Sequence, residues 1–150
     1  MTKAIKLLTA LPQTQRERLM ELAREVSFAE DSRIFEAGGT AERFWVIRSG
    51  AVSLDQQVTP ERRVTVAGLG AGDLLGWSWL FPPYRWDFGA EAFSAVRAYE
   101  FDASAVLALC VEDPLLGLSL VRVVAEILAY RLELTRGKLM DHYALHRNAT

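Results

Sequence analysis

The chain changes its hydrophobic period twice. Residues 3–26 carry apolar positions at helical spacing: Leu7, Leu8 and Leu11 lead to Pro12, and Leu19, Met20, Leu22 and Val26 follow. Between them, Thr14-Gln15-Arg16-Glu17 has the form of a capping box, in which Thr14 and Glu17 satisfy each other's backbone N–H groups. A short helix, a break and a second amphipathic helix are predicted within 1–26.

From residue 27 the pattern becomes strand-like. Arg33-Ile34-Phe35 is a short strand ended by Gly38-Gly39. Phe44–Arg48 and Ala51–Leu54 flank Ser49-Gly50, which predicts a β-hairpin with Gly50 supplying a positive φ. After a polar segment with Pro60 and Glu61, Val64 and Val66 share one face, and Ala90–Phe101 supplies further strand. Short strands with closely spaced turn signals predict a barrel or β-roll over 27–101.

Residues 102–146 return to a helical period. Asp102 is placed to cap a helix over Ala103–Cys110, and Asp113-Pro114 puts a capping carboxylate before a proline at the first helical position. From Pro114 an apolar stripe runs through Leu116, Leu120, Val124, Ile127, Leu128 and Leu132, and the helix is extended past Gly137 toward Tyr143. A helix of about 30 residues is roughly 45 Å long. That exceeds what a small β-roll covers, so part of the stripe is expected to join two copies of the chain in a homodimer. The predicted fold class is therefore mainly β with flanking helices: a double-stranded, jelly-roll-like β-roll, N-terminal helices, and a long C-terminal helix. A single domain is expected over 1–150.

Composition narrows the function classes. Apolar residues make up 51% and charged residues 24%, an ordinary globular balance. No apolar run spans a bilayer, and the amino-terminal run is too short and interrupted for a secretory signal. One cysteine, Cys110, allows no internal disulfide and points to a reducing, cytoplasmic setting. The net charge of −2 gives no overall electrostatic footprint for nucleic acid.

The densest chemistry lies in residues 66–93. Gly68, Gly70 and Gly72 precede Asp73, and then Trp77, Trp79, Phe81, Tyr84, Trp86, Phe88 and Phe93 fall within 17 residues, seven of the fifteen aromatics in the chain. Such rings fill cores, and they also line ligand pockets when polar groups are set among them. Here Asp73, Ser78, Arg85 and Asp87 are the interleaved polar groups.

The order of elements and several motifs resemble the cyclic-nucleotide-binding domain of catabolite-activator-like (Crp/Fnr) regulators. Ile34-Phe35-Glu36-Ala37-Gly38 is similar to that family's I-F-x-x-G. Phe44–Val52 is close to its F-x-V-x-x-G-x-V. Leu69-Gly70-Ala71-Gly72-Asp73-Leu74-Leu75-Gly76 resembles its L-G-x-G-D-x-F-G turn, which leads into the phosphate-binding cassette, and Leu128–Leu132 is similar to the end of its dimer helix. The resemblance implies a ligand site at Gly72, Leu75, Gly76, Trp77, Ser78, Arg85, Trp86 and Asp87.

It also implies what has changed. Ligand-binding members carry a ribose-holding glutamate after the last glycine of the turn, where this chain has Trp77. The family's phosphate-pairing arginine falls at Trp86, with Arg85 beside it and Asp87 next, a carboxylate unfavourable to phosphate. The backbone N–H groups at Leu75–Trp77, opening a short helix, remain to cradle an anion. The implied function is a non-enzymatic sensory module that takes a non-standard small ligand or none, needs no cofactor, and signals through a protein partner. The alternative is a cyclic AMP receptor in which Arg85 replaces the usual arginine. About ten residues follow the long helix, so no helix-turn-helix and no direct DNA binding are expected.

A β-roll also resembles the cupins, many of them metal enzymes. Their sites use strand histidines, whereas His142 and His146 both lie in the tail, where a solvated helix end explains them. Cys110 has no histidine near it in sequence and reads as core.

Overall fold

The structure is a computed structural model that describes residues 4–148. Two short helices, α1 (Leu7–Ala10) and α2 (Gln13–Met20), precede eight strands. These are β1 (Arg24–Phe28), β2 (Arg33–Phe35), β3 (Arg43–Ser49), β4 (Val52–Thr59), β5 (Arg62–Leu69), β6 (Leu74–Leu75), β7 (Gly89–Ala92) and β8 (Val96–Asp102). A single 3-10 turn covers Ser78–Leu80, and α3 (Ala103–Glu112) and α4 (Pro114–Asn148) close the chain. The strands form two antiparallel sheets, ordered β1-β8-β3-β6 and β2-β7-β4-β5. This is the expected β-roll between short and long helices.

Local chemistry moved three boundaries. Helical structure ends at Met20 and not at 26, because Arg24–Phe28 alternates and pairs with β8, Val26 opposite Ala98 and Phe28 opposite Val96. The capping box does not form. Pro12 occupies the cap, so Thr14 falls inside the first turn, and Glu17 instead accepts a hydrogen bond from Gln13 at 3.1 Å. Ser49-Gly50 is no hairpin turn: β3 pairs with β8 and β6, whereas β4 pairs with β5 and β7. The chain passes there from one sheet to the other. Gly50 does have a φ of +91°, and a Cβ would lie 2.2 Å from the Ala95 carbonyl oxygen. The true hairpin is the polar segment around Pro60-Glu61, where Thr59 faces Arg62 and the strand ends stand out in solvent.

β3 organises the core. Phe44, Trp45, Val46 and Ile47 are all buried, so the strand is covered on both faces. Phe44 stacks on Phe101 at 4.8 Å and on Trp79 at 4.4 Å. Trp45 points the other way, between the sheets, to meet Phe28, Phe35 and Trp86. Its indole N–H donates to the buried Glu100 at 3.0 Å, and Arg24 covers that carboxylate from outside at 2.5 Å.

The expected caps of the last two helices are present. Asp102 accepts from the Ala105 N–H at 3.0 Å and Asp113 from the Leu116 N–H at 3.2 Å, while Arg18 ties Asp113 to α2 at 2.5 Å. α4 is 35 residues long and packs on α1 and α3. The stripe is divided: Leu116, Leu120, Val124 and Ile127 are buried within the chain itself, Leu128 is half-buried, and Leu132, 66% exposed, faces out. Leu118, Val121, Ala125, Leu139 and Tyr143, on the opposite face of α4, are exposed. Among the described residues no helix is long and apolar enough to cross a membrane.

Truncating Phe44 removes a ring packed between two others. Phe44→Ala should cost about 3–5 kcal/mol in urea unfolding. A loss below about 1 kcal/mol would mean that the stack is not central to the core.

Candidate functional site

The glycine-rich turn between β5 and β6 is held by Asp73. One carboxylate oxygen accepts from the Gly70 N–H at 2.8 Å, the other from Lys6 Nζ at 2.5 Å. Backbone bonds from Gly72 N–H to Ile47 and from Ile47 N–H to Asp73 fasten the turn to β3. β6 then pairs with β3, Leu75 opposite Trp45. After Leu75 the chain runs through Gly76 and Trp77 into the 3-10 turn, so the short helix expected to open at Leu75–Trp77 is a three-residue 3-10 turn with Trp77 at its N-terminal cap.

Gly76 has a φ of +95°, and an added Cβ would lie 2.8 Å from the Trp86 ring. The indole therefore lies against bare backbone. The ring also stacks on Phe35, with ring centroids 4.0 Å apart. A backbone ladder sets this placement, running from Gly38 N–H to the Trp86 carbonyl (2.8 Å), from Trp86 N–H to Gly39 (2.9 Å), and from Ala41 N–H to Tyr84 (2.8 Å).

Gly76, Trp77, Ser78, Trp86 and Asp87 are brought together, with Phe35, Leu54, Phe88 and Arg131, around a cavity of about 20 Å³. That admits one water and nothing larger. Leu75 is buried in the β3–β6 pair, and Gly72 packs on the Lys6 stem; neither lines the cavity. Arg85 does not line it either. Its side chain is exposed and donates to the Gly38 carbonyl at 2.9 Å.

A larger space opens alongside. A groove of about 580 Å³ runs between β4–β5 and the second half of α4, with Leu54, Trp77, Phe88 and Arg131 shared with the small cavity. Arg131 is the residue that the sequence reading passed over as a site. Its Nη2 donates to the Leu74 carbonyl at 2.5 Å, and burial pushes its pKa down, partly offset by Asp73 nearby. A usable signal was present, since Arg131 follows Leu116, Leu120, Val124 and Ile127 on the buried row of α4.

Residues 25–113 match the family model described as the cyclic nucleotide-binding domain. The chain belongs to the cyclic nucleotide-binding domain family. It is 27% identical over 123 residues to a CRP-like cAMP-activated global transcriptional regulator of Mycobacterium tuberculosis, covering 82% of this chain and 53% of that protein. The chain thus spans about half the length of the curated relatives it matches. That these relatives are transcriptional regulators gives the expected absence of DNA binding no support. The same fold occurs in a cyclic nucleotide-binding domain from Methylobacillus flagellatus (TM-score 0.81, 15% identity, 88% of this chain and 74% of that one). It occurs again in the Thermus thermophilus catabolite activator protein (TM-score 0.72, 23% identity, 89% and 61%).

Among the described residues no three His, Cys, Asp or Glu side chains are grouped to hold a metal. The His146 side chain lies outside the described residues. Burial, and then Asp113, push the Cys110 thiol up, which disfavours the reactive thiolate.

The indole of Trp86 is 7% exposed, stacked on Phe35 and in close contact with Gly76. Trp86→Ala should therefore lower stability by about 3–5 kcal/mol, read by thermal or urea unfolding. A loss under about 1 kcal/mol would show the ring to be a surface cap and not part of the core.

Proposed function

We propose that the chain is a non-enzymatic sensory module of the cyclic nucleotide-binding family in which the cradle for the cyclic phosphate is filled from within. The observation that carries this reading is the Trp86 indole, seated on Gly76 and Phe35 with about 20 Å³ left beside it. A cyclic phosphate leaving water needs a compensating charge, and a bidentate arginine supplies both charge and geometry. The cradle offers indole there, and Asp87 beside it adds a charge of the wrong sign. Arg85 is a poor replacement. Its neighbour Trp86 is held by the backbone ladder to Gly38 and Gly39, and adjacent residues of an extended segment point to opposite faces.

Cyclic AMP and cyclic GMP should consequently bind weakly or not at all. Hydrogen bonds to charged groups contribute about 1.5–3 kcal/mol each, so losing the arginine and the glutamate weakens binding by about 3–6 kcal/mol, roughly a hundred- to ten-thousandfold. Titration calorimetry with both nucleotides decides this. Submicromolar affinity, abolished by Arg85→Ala, would establish the alternative, a cyclic AMP receptor built on Arg85.

We read the module as a homodimer joined along the outward face of α4. Leu118, Val121, Ala125, Leu132, Leu139 and Tyr143 recur at steps of three, four and seven on that face, and all are exposed in the single chain. Signal output to a protein partner is supported by a second uncovered apolar area where α3 meets α4, at Leu107, Val111 and Leu115. The lone cysteine fits work in the reducing cytoplasm.

Leu139→Glu places a carboxylate on each side of the two-fold seam while touching nothing in the core. Each buried leucine contributes about 1.5–3 kcal/mol and is present twice, so the dimer should weaken at least about a hundredfold. Sedimentation should then show monomers with unchanged circular dichroism. A monomeric wild type at tens of micromolar would sink the reading.

A further inference from the structure

β2 is three residues long, lies at the edge of its sheet, and pairs with β7 at Arg33–Glu91 and Phe35–Ala90. So short an edge strand is weakly held by its backbone. It nevertheless carries Phe35, the ring that supports the Trp86 indole in the cradle. The register shift between Arg33 and Phe35 sends their side chains to different surroundings. Phe35 turns inward to Trp45 and Trp86, whereas Arg33 reaches Asp55, which alternates on β4 with the cavity-lining Leu54.

Arg33 spans the sheet. Its Nη1 and Nη2 donate to the two oxygens of Asp55 at 2.5 and 3.0 Å, across the intervening β7, and its Nε donates to Glu36. The path over β7 is open because Gly89 stands there: a Cβ would lie 2.5 Å from Asp55 Oδ1 and nearer still to Arg33 Nη2. Glu91 lies 3.6 Å from Arg33, and Arg63 of β5 lies 3.7 Å from Asp55 and 3.8 Å from Glu36. Three carboxylates thus share two guanidinium groups. Asp55 is 6% exposed, so its charge depends on those cations, and a bidentate guanidinium fixes direction as well as distance. Glu36 in turn leads into Gly38 and Gly39, which hold the Trp86 backbone.

We propose that the Arg33 cluster is a clamp that keeps the cradle closed and makes its closure answer to the β4–β5 hairpin. Arg33 holds both supports of the indole against Asp55 of β4: Phe35 through β2, and the Gly38–Gly39 turn through Glu36. Arg63 joins the cluster to the end of the hairpin that stands in solvent, where a load can reach it. With Arg63 drawn away, three carboxylates share one guanidinium. Their repulsion loosens β2 and the turn, and Trp86 is freed to leave Gly76. The proposal rests on the reading of the cradle as filled from within.

The test follows amide hydrogen exchange by NMR in the full chain. The Gly38 and Trp86 N–H groups, which donate to the Trp86 and Gly39 carbonyls at 2.8 and 2.9 Å, report on the cradle, and the amides of the β3–β8 pair report on the body. Arg33→Gln should speed exchange at Gly38 and Trp86 at least about tenfold, with β3–β8 unchanged. Arg63→Gln, at an exposed cation, should speed the same two amides about two- to fivefold. The effects should not add in the double variant, because Arg63 has nothing left to steady once Arg33 is gone. Should Arg33→Gln fail to fold, Arg63→Gln decides by itself. Unchanged exchange at Gly38 and Trp86 in Arg63→Gln, an equal rise in β3–β8, or full additivity would each overturn the proposal. Calorimetry of cyclic nucleotides on the unmodified chain tests the filled cradle separately, so the two readings fail independently.

Discussion

An indole resting on a residue without a side chain is the contact on which the rest of this domain depends. Gly76 ends the turn that Asp73 organises, and its left-handed backbone leaves the gap that Trp86 fills. Trp86 in turn supports Phe35 of one sheet and faces Trp45 of the other. The two sheets are therefore joined through rings at the place where the family's ligand cradle lies. Ring stacking of this kind contributes beyond the buried area alone, and only in fixed offset geometries.

Much of the fold was legible in sequence because its signals were redundant. The Asp113-Pro114 start of α4 combines a capping carboxylate with a proline, and both act locally. The β3–β4 corner was not legible. Alternating residues around Ser-Gly describe a hairpin and an inter-sheet corner equally well, since a positive φ at Gly50 serves both; only the non-local pairing of β3 with β8 separates them. The capping box failed for a local reason, as Pro12 set the helix start two residues before Thr14.

The candidate site divides in the same way. The departure from the family expected at position 77 rests on the turn motif Leu69–Gly76, and that expected at position 86 on the strand that follows, Ala92–Ala95. Arg131 was passed over because an arginine on a long helix reads as solvated, although it continues the row of Leu116, Leu120, Val124 and Ile127; its contact with the Leu74 carbonyl depends further on where β6 ends and how far α4 runs beside it. The apolar stripe of α4 was likewise read as one surface. It is two, one turned to the body and one to solvent, and a single sequence does not say which partner each row meets.

The continuous row on α4 has a mechanical consequence. Leu116, Leu120, Val124 and Ile127 hold the first half of the helix in place, since turning it about its own axis would bring four buried apolar side chains into water. From Leu132 to Leu145 almost every residue is exposed, so nothing comparable restrains the second half. One half is an anchor and the other a lever. A load applied at the free end is carried along the continuous helix to the anchored half, which begins near Arg131 where a polar tie reaches back to β6.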